Sequence, residues 1–217
     1  MCAVLSLAQT TRVLEWRRIA LEFGISTQLG VPAAILVQSK SQQHRNPFQL
    51  IDITGAGYAR DFQFPDQNDV VRSLKDFKGE FVVAFFGFAQ CPDVCPTTMT
   101  ELAQAKKLMG AQGVRLRGIF MTVDPERDTA EMLKSYVVHF DAAFVAPRST
   151  QEQLKRAAAE FRIRAQKNPG ASATSYTIDH SAASFVCDPQ GQLRLYARYR
   201  AGAAALASDA RLLLGGA

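Results

Sequence analysis

The chain has 217 residues, of which 47% are hydrophobic and 21% are charged, and its formal net charge is +5. These values are typical of a folded globular protein with one main domain, and they exclude collagen-like, low-complexity and disordered classes. The longest apolar runs, Gly30 to Val37 and Phe81 to Phe88, are far shorter than the ~20 residues of a membrane-spanning helix. The sequence as written therefore predicts no spanning helix.

The positive charge does not indicate a nucleic-acid partner. Residues 1–50 contain five basic and two acidic side chains, which leaves a net charge of only +2 for residues 51–217. The sequence has no long block of basic residues, and its aromatic residues do not alternate with basic ones. We expect no binding to nucleic acid.

Residues 1–47 are predicted to form an N-terminal extension outside the fold. They contain one short amphipathic segment, Val13 to Phe23, and a polar linker, Ser39 to Pro47. A secretory signal would begin with basic residues, whereas the first residues here are uncharged. We interpret the segment as an altered targeting sequence or an unstructured extension, and residues 48–217 as the folded domain.

The domain begins with a predicted hairpin at Asp61 to Leu74, which has a polar turn, and a buried strand at Phe81 to Phe88. The elements predicted after them are, in chain order, a helix at Pro96 to Met109, a strand at Val114 to Val123, a helix at Thr129 to His139, a short strand at Phe144 to Ala146, a helix from the capping box Ser149 to Glu152 as far as Phe161, strands at Ser184 to Cys187 and Gln192 to Tyr199, and a helix at Ala203 to Leu214. The segment Lys167 to Ser175 is rich in Pro, Gly, Ser and Ala and is predicted to be a flexible loop. This order predicts an α/β fold in which helices flank a mixed sheet.

Two of the four cysteines, Cys91 and Cys95, lie at the junction between the buried strand and the next helix. Their spacing places both sulfurs on one helix face, close enough to share a metal ion or to form a disulfide. The positive end of the helix dipole favours the thiolate, which is the form that binds metals and attacks disulfides. Redox sites of thioredoxin type usually have two residues between their cysteines, and here there are three. Cys187 is expected to be buried in a strand, and Cys2 receives no role.

Two thiolates and one imidazole suit Cu(I), and also Cu(II), whereas structural zinc normally has four protein ligands. The candidates for the imidazole are His44, His139 and His180. His44 lies in the polar linker, and His139 ends a helix, where a cation interacts favourably with the dipole. His180 follows the predicted loop and precedes a strand, so that it is either a ligand or a loop histidine with ordinary partners. The residues alone leave this choice open.

The sequence contains three distinctive segments, CPDVCPTTM (Cys91 to Met99), TVDPERDT (Thr122 to Thr129) and YTIDHS (Tyr176 to Ser181). These segments resemble the signatures of the Sco/SenC family. Members of this family are thioredoxin-fold copper proteins that assist assembly of the dinuclear copper centre of cytochrome c oxidase. The resemblance implies a thioredoxin-like fold, bound copper as Cu(I) or Cu(II), and a copper-receiving subunit of the oxidase as partner. By matching motif, the metal ligands would be Cys91, Cys95 and His180.

The same two cysteines leave a second function open, that of a thiol–disulfide oxidoreductase with Cys91 as the attacking thiol. A copper chaperone need not be an enzyme, so the sequence does not decide whether the protein is one. Family members have a membrane anchor or a lipid attachment, and the resemblance implies a location that is either periplasmic or at the inner membrane facing the periplasm. Residues 1–47 show no clear signal or anchor of that kind.

Four acidic residues near these motifs have expected supporting roles. Asp124 and Asp128 are expected to cap the helix that follows them. Asp93 lies between the two cysteines and either adds negative charge near them or caps their helix. Asp179 is a candidate for orienting His180, because a metal-bound imidazole commonly has a second hydrogen-bond partner.

Overall fold

The computed structural model describes residues 46–172 and 175–215. In this part of the chain, the strands are β1 (Ile51–Asp52), β2 (Phe64–Pro65), β3 (Val71–Arg72), β4 (Phe81–Gly87), β5 (Leu116–Thr122), β6 (Ala165–Ser172), β7 (Ser175–His180), β8 (Ser184–Cys187) and β9 (Leu193–Ala197). The helices are α1 (Val94–Leu108), α2 (Ala130–Phe140), α3 (Gln151–Glu160) and α4 (Ala203–Leu213), with short 3-10 helices at Leu74–Phe77 and Gly110–Arg115. The amphipathic segment at residues 13–23 lies outside the described residues, as do most of the predicted linker, Cys2 and His44.

The main sheet has the strand order β1-β9-β8-β4-β5, in which β4 and β5 are parallel and the other neighbours are antiparallel. Every residue of β4 is buried. Alternate side chains of β4 pack against α1, α2 and α4 on one face of the sheet, and the others pack with α3 on the opposite face. A strand covered on both faces needs a continuous apolar sequence, which is why it was predictable.

The predicted mixed sheet flanked by helices is confirmed, and the ends of most elements agree within a few residues. The hairpin predicted at Asp61 to Leu74 is present as β2 and β3, but each strand has only two residues. The strand predicted at Phe144 to Ala146 is reduced to a single bridge between Ile119 and Val145. In the part of the chain described here, no helix combines the length and apolar character needed to cross a bilayer.

The prediction of a flexible loop at Lys167 to Ser175 is wrong. Here β6 and β7 form an antiparallel hairpin that extends from the pair Ala165 and His180 towards the tip. Proline and glycine suggested a loop, but they lie in β6 where the register shifts. A side chain at Gly170 would collide with the carbonyl of Ser175, so glycine permits the two strands to approach closely.

The predicted helix caps are also corrected. Thr129 caps α2, because its hydroxyl accepts a hydrogen bond from the amide of Met132 at 3.2 Å. The expectation that Asp124 and Asp128 cap this helix is wrong, since a threonine occupies the cap position directly before the helix.

The start of α3 differs from its prediction by one residue. Thr150 is the N-cap, and Gln153 completes the capping box through the amide of Thr150 at 2.9 Å. The predicted box began one residue earlier in the chain. The helix itself and its length are confirmed.

Candidate metal centre

The two cysteines lie on the connection from β4 to α1, as predicted. The amide of Cys91 donates to the carbonyl of Phe88 at 3.1 Å and closes the turn. Cys91 is half-buried, whereas Cys95 lies in the first turn of α1 and is fully buried. Asp93 occupies the N-cap position, and its side chain makes no capping hydrogen bond. One thiol is thus accessible from outside and the other faces the core.

The structure brings three predicted donors together. The sulfur atoms of Cys91 and Cys95 and one ring nitrogen of His180 all lie within 4.8 Å of one another. Nε2 of His180 is 3.6 Å from the sulfur of Cys95. His139 lies instead in the last turn of α2, and Cys187 is buried in β8. Among the described residues, no other group of three potential metal ligands is present.

Burial raises the pKa of the Cys95 thiol above its ordinary value of 9.0, and the neighbouring Cys91 raises it further. For Cys95 the expected thiolate is therefore wrong in the metal-free protein, because the loss of water outweighs the backbone hydrogen bond from Phe88 that lowers the pKa. This thiol is protonated at neutral pH, and it must release its proton when a cation binds. Burial also raises the pKa of Cys187 to about 12, which is typical of an unreactive structural thiol.

His180 has the properties of a neutral ligand. Burial lowers the pKa of its imidazole below the ordinary value of 6.5, so the ring is uncharged at neutral pH. Nδ1 lies 3.1 Å from the carbonyl oxygen of Ser181, which can only accept a hydrogen bond. A proton on Nδ1 satisfies this carbonyl and leaves the lone pair of Nε2 facing Cys95. Asp179 was a candidate for orienting this ring, and the structure places the Ser181 carbonyl in that role instead.

Gly87 and the aromatic residues around it shape the site, and the sequence analysis missed them. A Cβ atom at Gly87 would lie 2.6 Å from the Cys95 sulfur and 2.8 Å from the ring of Phe85. The ring of His180 packs edge-on against Phe88, with 5.9 Å between the ring centroids. A glycine inside an otherwise bulky buried strand is the available signal, because it marks a close approach of another group.

The segment TVDPERDT supports the turn that carries Cys91. The carboxylate of Asp128 accepts a hydrogen bond from the amide of Ala89 at 3.1 Å and another from the hydroxyl of Thr122 at 2.5 Å. Burial raises the pKa of Asp128 above its ordinary value. This residue therefore fixes the backbone before Cys91, a role that the sequence analysis did not predict.

The arrangement is suited to two kinds of chemistry. Two thiols and one neutral imidazole form a soft donor set for Cu(I) or Cu(II), and three donors are fewer than structural zinc normally requires. Cys91, Cys95 and Cys187 are all free thiols. The first two are close enough to be oxidised to a disulfide after a small movement.

The SCO1/SenC family model matches residues 51–215 of this chain. A relative from Rickettsia felis, named SCO2-like protein, is 30% identical over 133 residues, which are 61% of this chain and 65% of that protein. The chain thus spans less than two thirds of the length of this curated relative.

Solved structures are similar over most of the described part of the chain. The copper-bound structure of ScoI from Bradyrhizobium japonicum is 31% identical, has a TM-score of 0.65, and covers 70% of this chain and 97% of that one. The apo structure of Sco1 from Thermus thermophilus is 29% identical with a TM-score of 0.67, over 76% of this chain and 96% of that one. These similarities confirm the thioredoxin-like α/β fold that the motifs implied.

Proposed function

We propose a function from the family to which the chain belongs, which is SCO1/SenC. In this proposal the protein binds one copper ion and delivers it to the dinuclear copper centre of cytochrome c oxidase. The observation that carries this proposal is the convergence of Cys91, Cys95 and His180, whose donor atoms lie within 4.8 Å of one another. The donor chemistry supports copper. The similar ScoI from Bradyrhizobium japonicum also has copper bound.

The positions of the ligands suit a protein that releases its cargo. Cys91 and Cys95 lie on a short connection between a buried strand and a helix, whereas His180 lies at the end of the β6-β7 hairpin. We propose that the two sulfurs retain copper while a ligand of the recipient displaces His180. Exchange then continues at the sulfurs until the recipient holds the ion.

The proposed recipient is the copper-receiving subunit of cytochrome c oxidase, and the proposed location is the periplasmic side of the inner membrane. Both follow from the family, whose members serve oxidase assembly. The cysteines of such a subunit must be reduced before they can bind copper. A protein that reduces them would therefore serve the same assembly, and this is a second function for the same site.

That second candidate is a thiol–disulfide oxidoreductase, and the half-buried Cys91 beside the buried Cys95 favours it. The sulfur of Cys91 would attack a disulfide of the partner and form a mixed disulfide. Cys95 would then displace the partner's thiol and close a Cys91–Cys95 disulfide. Two electrons and two protons pass to the partner, which leaves with both thiols reduced.

Copper titration followed by X-ray absorption tests the leading proposal. We expect one Cu(I) per chain with two sulfur ligands and one nitrogen ligand. Cys91→Ser should lose one sulfur scatterer. His180→Ala should weaken copper binding by at least about 10–100-fold, the loss seen when only a partner of a ligand is removed. Cys187→Ala is the control, because this thiol is buried in β8 away from the other two. Copper binding that is unchanged in Cys91→Ser would contradict the proposal.

His180→Ala also separates the two functions. Disulfide exchange needs only the two cysteines, so this variant should keep full activity in reducing a disulfide peptide if the pair is a redox site. A variant that reduces disulfides normally but no longer supports oxidase assembly would show that copper delivery is the required function. Normal assembly with this variant would favour the redox function alone.

A further inference from the structure

A polar cluster surrounds Tyr176, which lies four residues before His180 on β7 and contributes no ligand to the metal centre. The guanidinium carbon of Arg127 is 3.6 Å from the centroid of the Tyr176 ring, and Nζ of Lys167 is 3.7 Å from it. The hydroxyl of Tyr176 donates a hydrogen bond to Asp124 at 2.7 Å. We call Asp124, Glu126, Arg127, Lys167 and Tyr176 the Tyr176 cluster.

Both cations of this cluster are held by acidic residues of the same short segment. Arg127 forms an ion pair with Asp124, which is only 2% exposed, and donates to the backbone carbonyl of Tyr176 at 3.0 Å. Lys167 lies 2.7 Å from Glu126. Residues 124–127 therefore bind both strands of the hairpin, β6 through Lys167 and β7 through Tyr176.

Tyr176 and His180 lie on the same face of β7. Burial alternates along this strand, so that Tyr176, Ile178 and His180 are covered while the residues between them are exposed. Ile178 is 8% exposed and belongs to the core. Side chains two residues apart in a strand share a face, so the contacts of Tyr176 keep the face that carries His180 against the body of the protein.

The segment that holds Tyr176 also holds the cysteine turn. Asp128 is adjacent to Arg127 in sequence, and its carboxylate accepts the hydrogen bond from Ala89, two residues before Cys91. One segment of five residues, 124–128, thus contacts the element that carries the thiols and the element that carries the imidazole. This segment therefore links the two halves of the metal centre.

We propose that Tyr176 is a positioning residue for the metal centre, which keeps His180 next to the two cysteines through its contacts with Asp124, Arg127 and Lys167. Release of these contacts separates β7 from residues 124–127 and withdraws the imidazole first. The Tyr176 cluster therefore sets how readily the nitrogen ligand detaches when a recipient approaches. The part of this proposal that concerns copper rests on the proposed function, and the part that concerns β7 does not.

The first experiment uses the metal-free protein and measures hydrogen exchange of the amides in β7. In Tyr176→Leu we expect exchange to accelerate by about tenfold, because a cation–π interaction and a hydrogen bond to a charged group are lost. Tyr176→Phe retains the ring between the cations and should give a smaller acceleration. Amides of the buried strand β4 serve as the internal reference for global unfolding.

Tyr58→Leu is the matched control variant. Tyr58 also has an arginine over its ring, with the Arg162 guanidinium carbon 4.6 Å from the centroid, but it packs on Phe185 and belongs to neither the Tyr176 cluster nor the metal centre. This variant should leave β7 exchange unchanged relative to β4. Equal protection of β7 in wild type and Tyr176→Leu would overturn the proposal.

The second experiment measures the rate at which Cu(I)-loaded protein transfers its ion to the chelator bicinchoninate. We expect Tyr176→Leu to accelerate transfer by about tenfold, in proportion to the freedom gained by β7. In the background of His180→Ala the same change should have no further effect, because no imidazole remains to be positioned. An equal acceleration in that background would overturn the proposal, since Tyr176 would then act on copper without His180.

The two experiments distinguish the two proposals. If the wild-type chain takes up no copper through its cysteines, the proposed function fails, and hydrogen exchange still decides whether Tyr176 holds β7. If copper binds as proposed but neither β7 exchange nor transfer responds to Tyr176→Leu, the positioning role fails while the proposed function stands.

Discussion

The carboxylate of Asp128 is 3% exposed and accepts hydrogen bonds from one backbone amide and one hydroxyl. Its burial raises its pKa, and the hydrogen bonds from Thr122 and Ala89 offset only part of that effect. A group whose pKa is raised in the folded state favours folding when protonated, and this contribution is lost as the pH rises. The residue that supports the cysteine turn therefore does so at a cost in stability at neutral pH.

Replacing Asp128 tests this balance. In Asp128→Asn the side-chain oxygen still accepts from Ala89, but no charge is buried. As the pH rises from the ordinary pKa of 3.8 towards neutrality, wild type loses stability because Asp128 must ionise, whereas the asparagine does not titrate. We therefore expect the free energy of unfolding of the variant to increase relative to that of wild type. Asp128→Ala leaves the Ala89 amide without its partner and should cost about 1–3 kcal/mol. Urea denaturation of the metal-free protein at several pH values measures both effects, and a difference that does not vary with pH would contradict the first.

The convergence of Cys91, Cys95 and His180 could be predicted because these residues lie in short, distinctive motifs. The roles of Asp124 and Asp128 could not, because their partners are distant in sequence. Ala89 is separated from Asp128 by 39 positions and Tyr176 from Asp124 by 52. A local pattern of acids before a helix suggested caps, and the tertiary hydrogen bonds that the acids make instead leave no periodic signal in the sequence.

At the scale of secondary structure, the junction of β4 and α1 positions both sulfurs. The strand was predictable from its continuous apolar run, and the helix from Pro96 and Gly110 near its ends. The hairpin that carries His180 was missed because Pro169 and Gly170 interrupt any alternating pattern in β6. Its two strands approach closely at Gly170, and such an approach is not visible in hydrophobic periodicity.

Gly87→Ala tests how tightly this junction is packed. The added methyl group would overlap the Cys95 sulfur and the rings of Phe85 and Phe120, so we expect a loss of about 1–3 kcal/mol in unfolding free energy. The sulfur must also move, and copper affinity should fall with stability. Gly57→Ala is the control, because the nearest atom to its added methyl would be 3.6 Å away in a surface arginine. Thermal unfolding and copper titration give the two measurements, and an unaffected copper site in a stable Gly87→Ala variant would contradict the packing argument.

At the scale of the whole molecule, the beginning and the end of the domain are joined. The carboxylate of Asp209 in α4 is fully buried and accepts hydrogen bonds from the amides of Gln49 at 3.0 Å and Leu50 at 2.8 Å. Phe48 packs against the same core, and β1 pairs with β9 at the edge of the sheet. The boundary predicted between residues 47 and 48 stays a prediction, and these contacts give it a sharp test.

Two truncated chains make that test. If residues 1–47 lie outside the fold, removal of residues 1–45 should leave the free energy of unfolding and the copper stoichiometry unchanged. Removal of residues 1–52 also deletes β1 and both amides that bind Asp209. It should cost about 3–6 kcal/mol, because two hydrogen bonds to a charged group are lost, each worth about 1.5–3 kcal/mol. Asp209→Asn in the shorter chain should recover part of this loss, since an uncharged amide is less costly to bury without donors. Denaturant unfolding of the full chain, the two truncated chains and the Asp209→Asn variant measures these differences. A large loss on removing residues 1–45 alone would place the start of the folded domain earlier in the sequence.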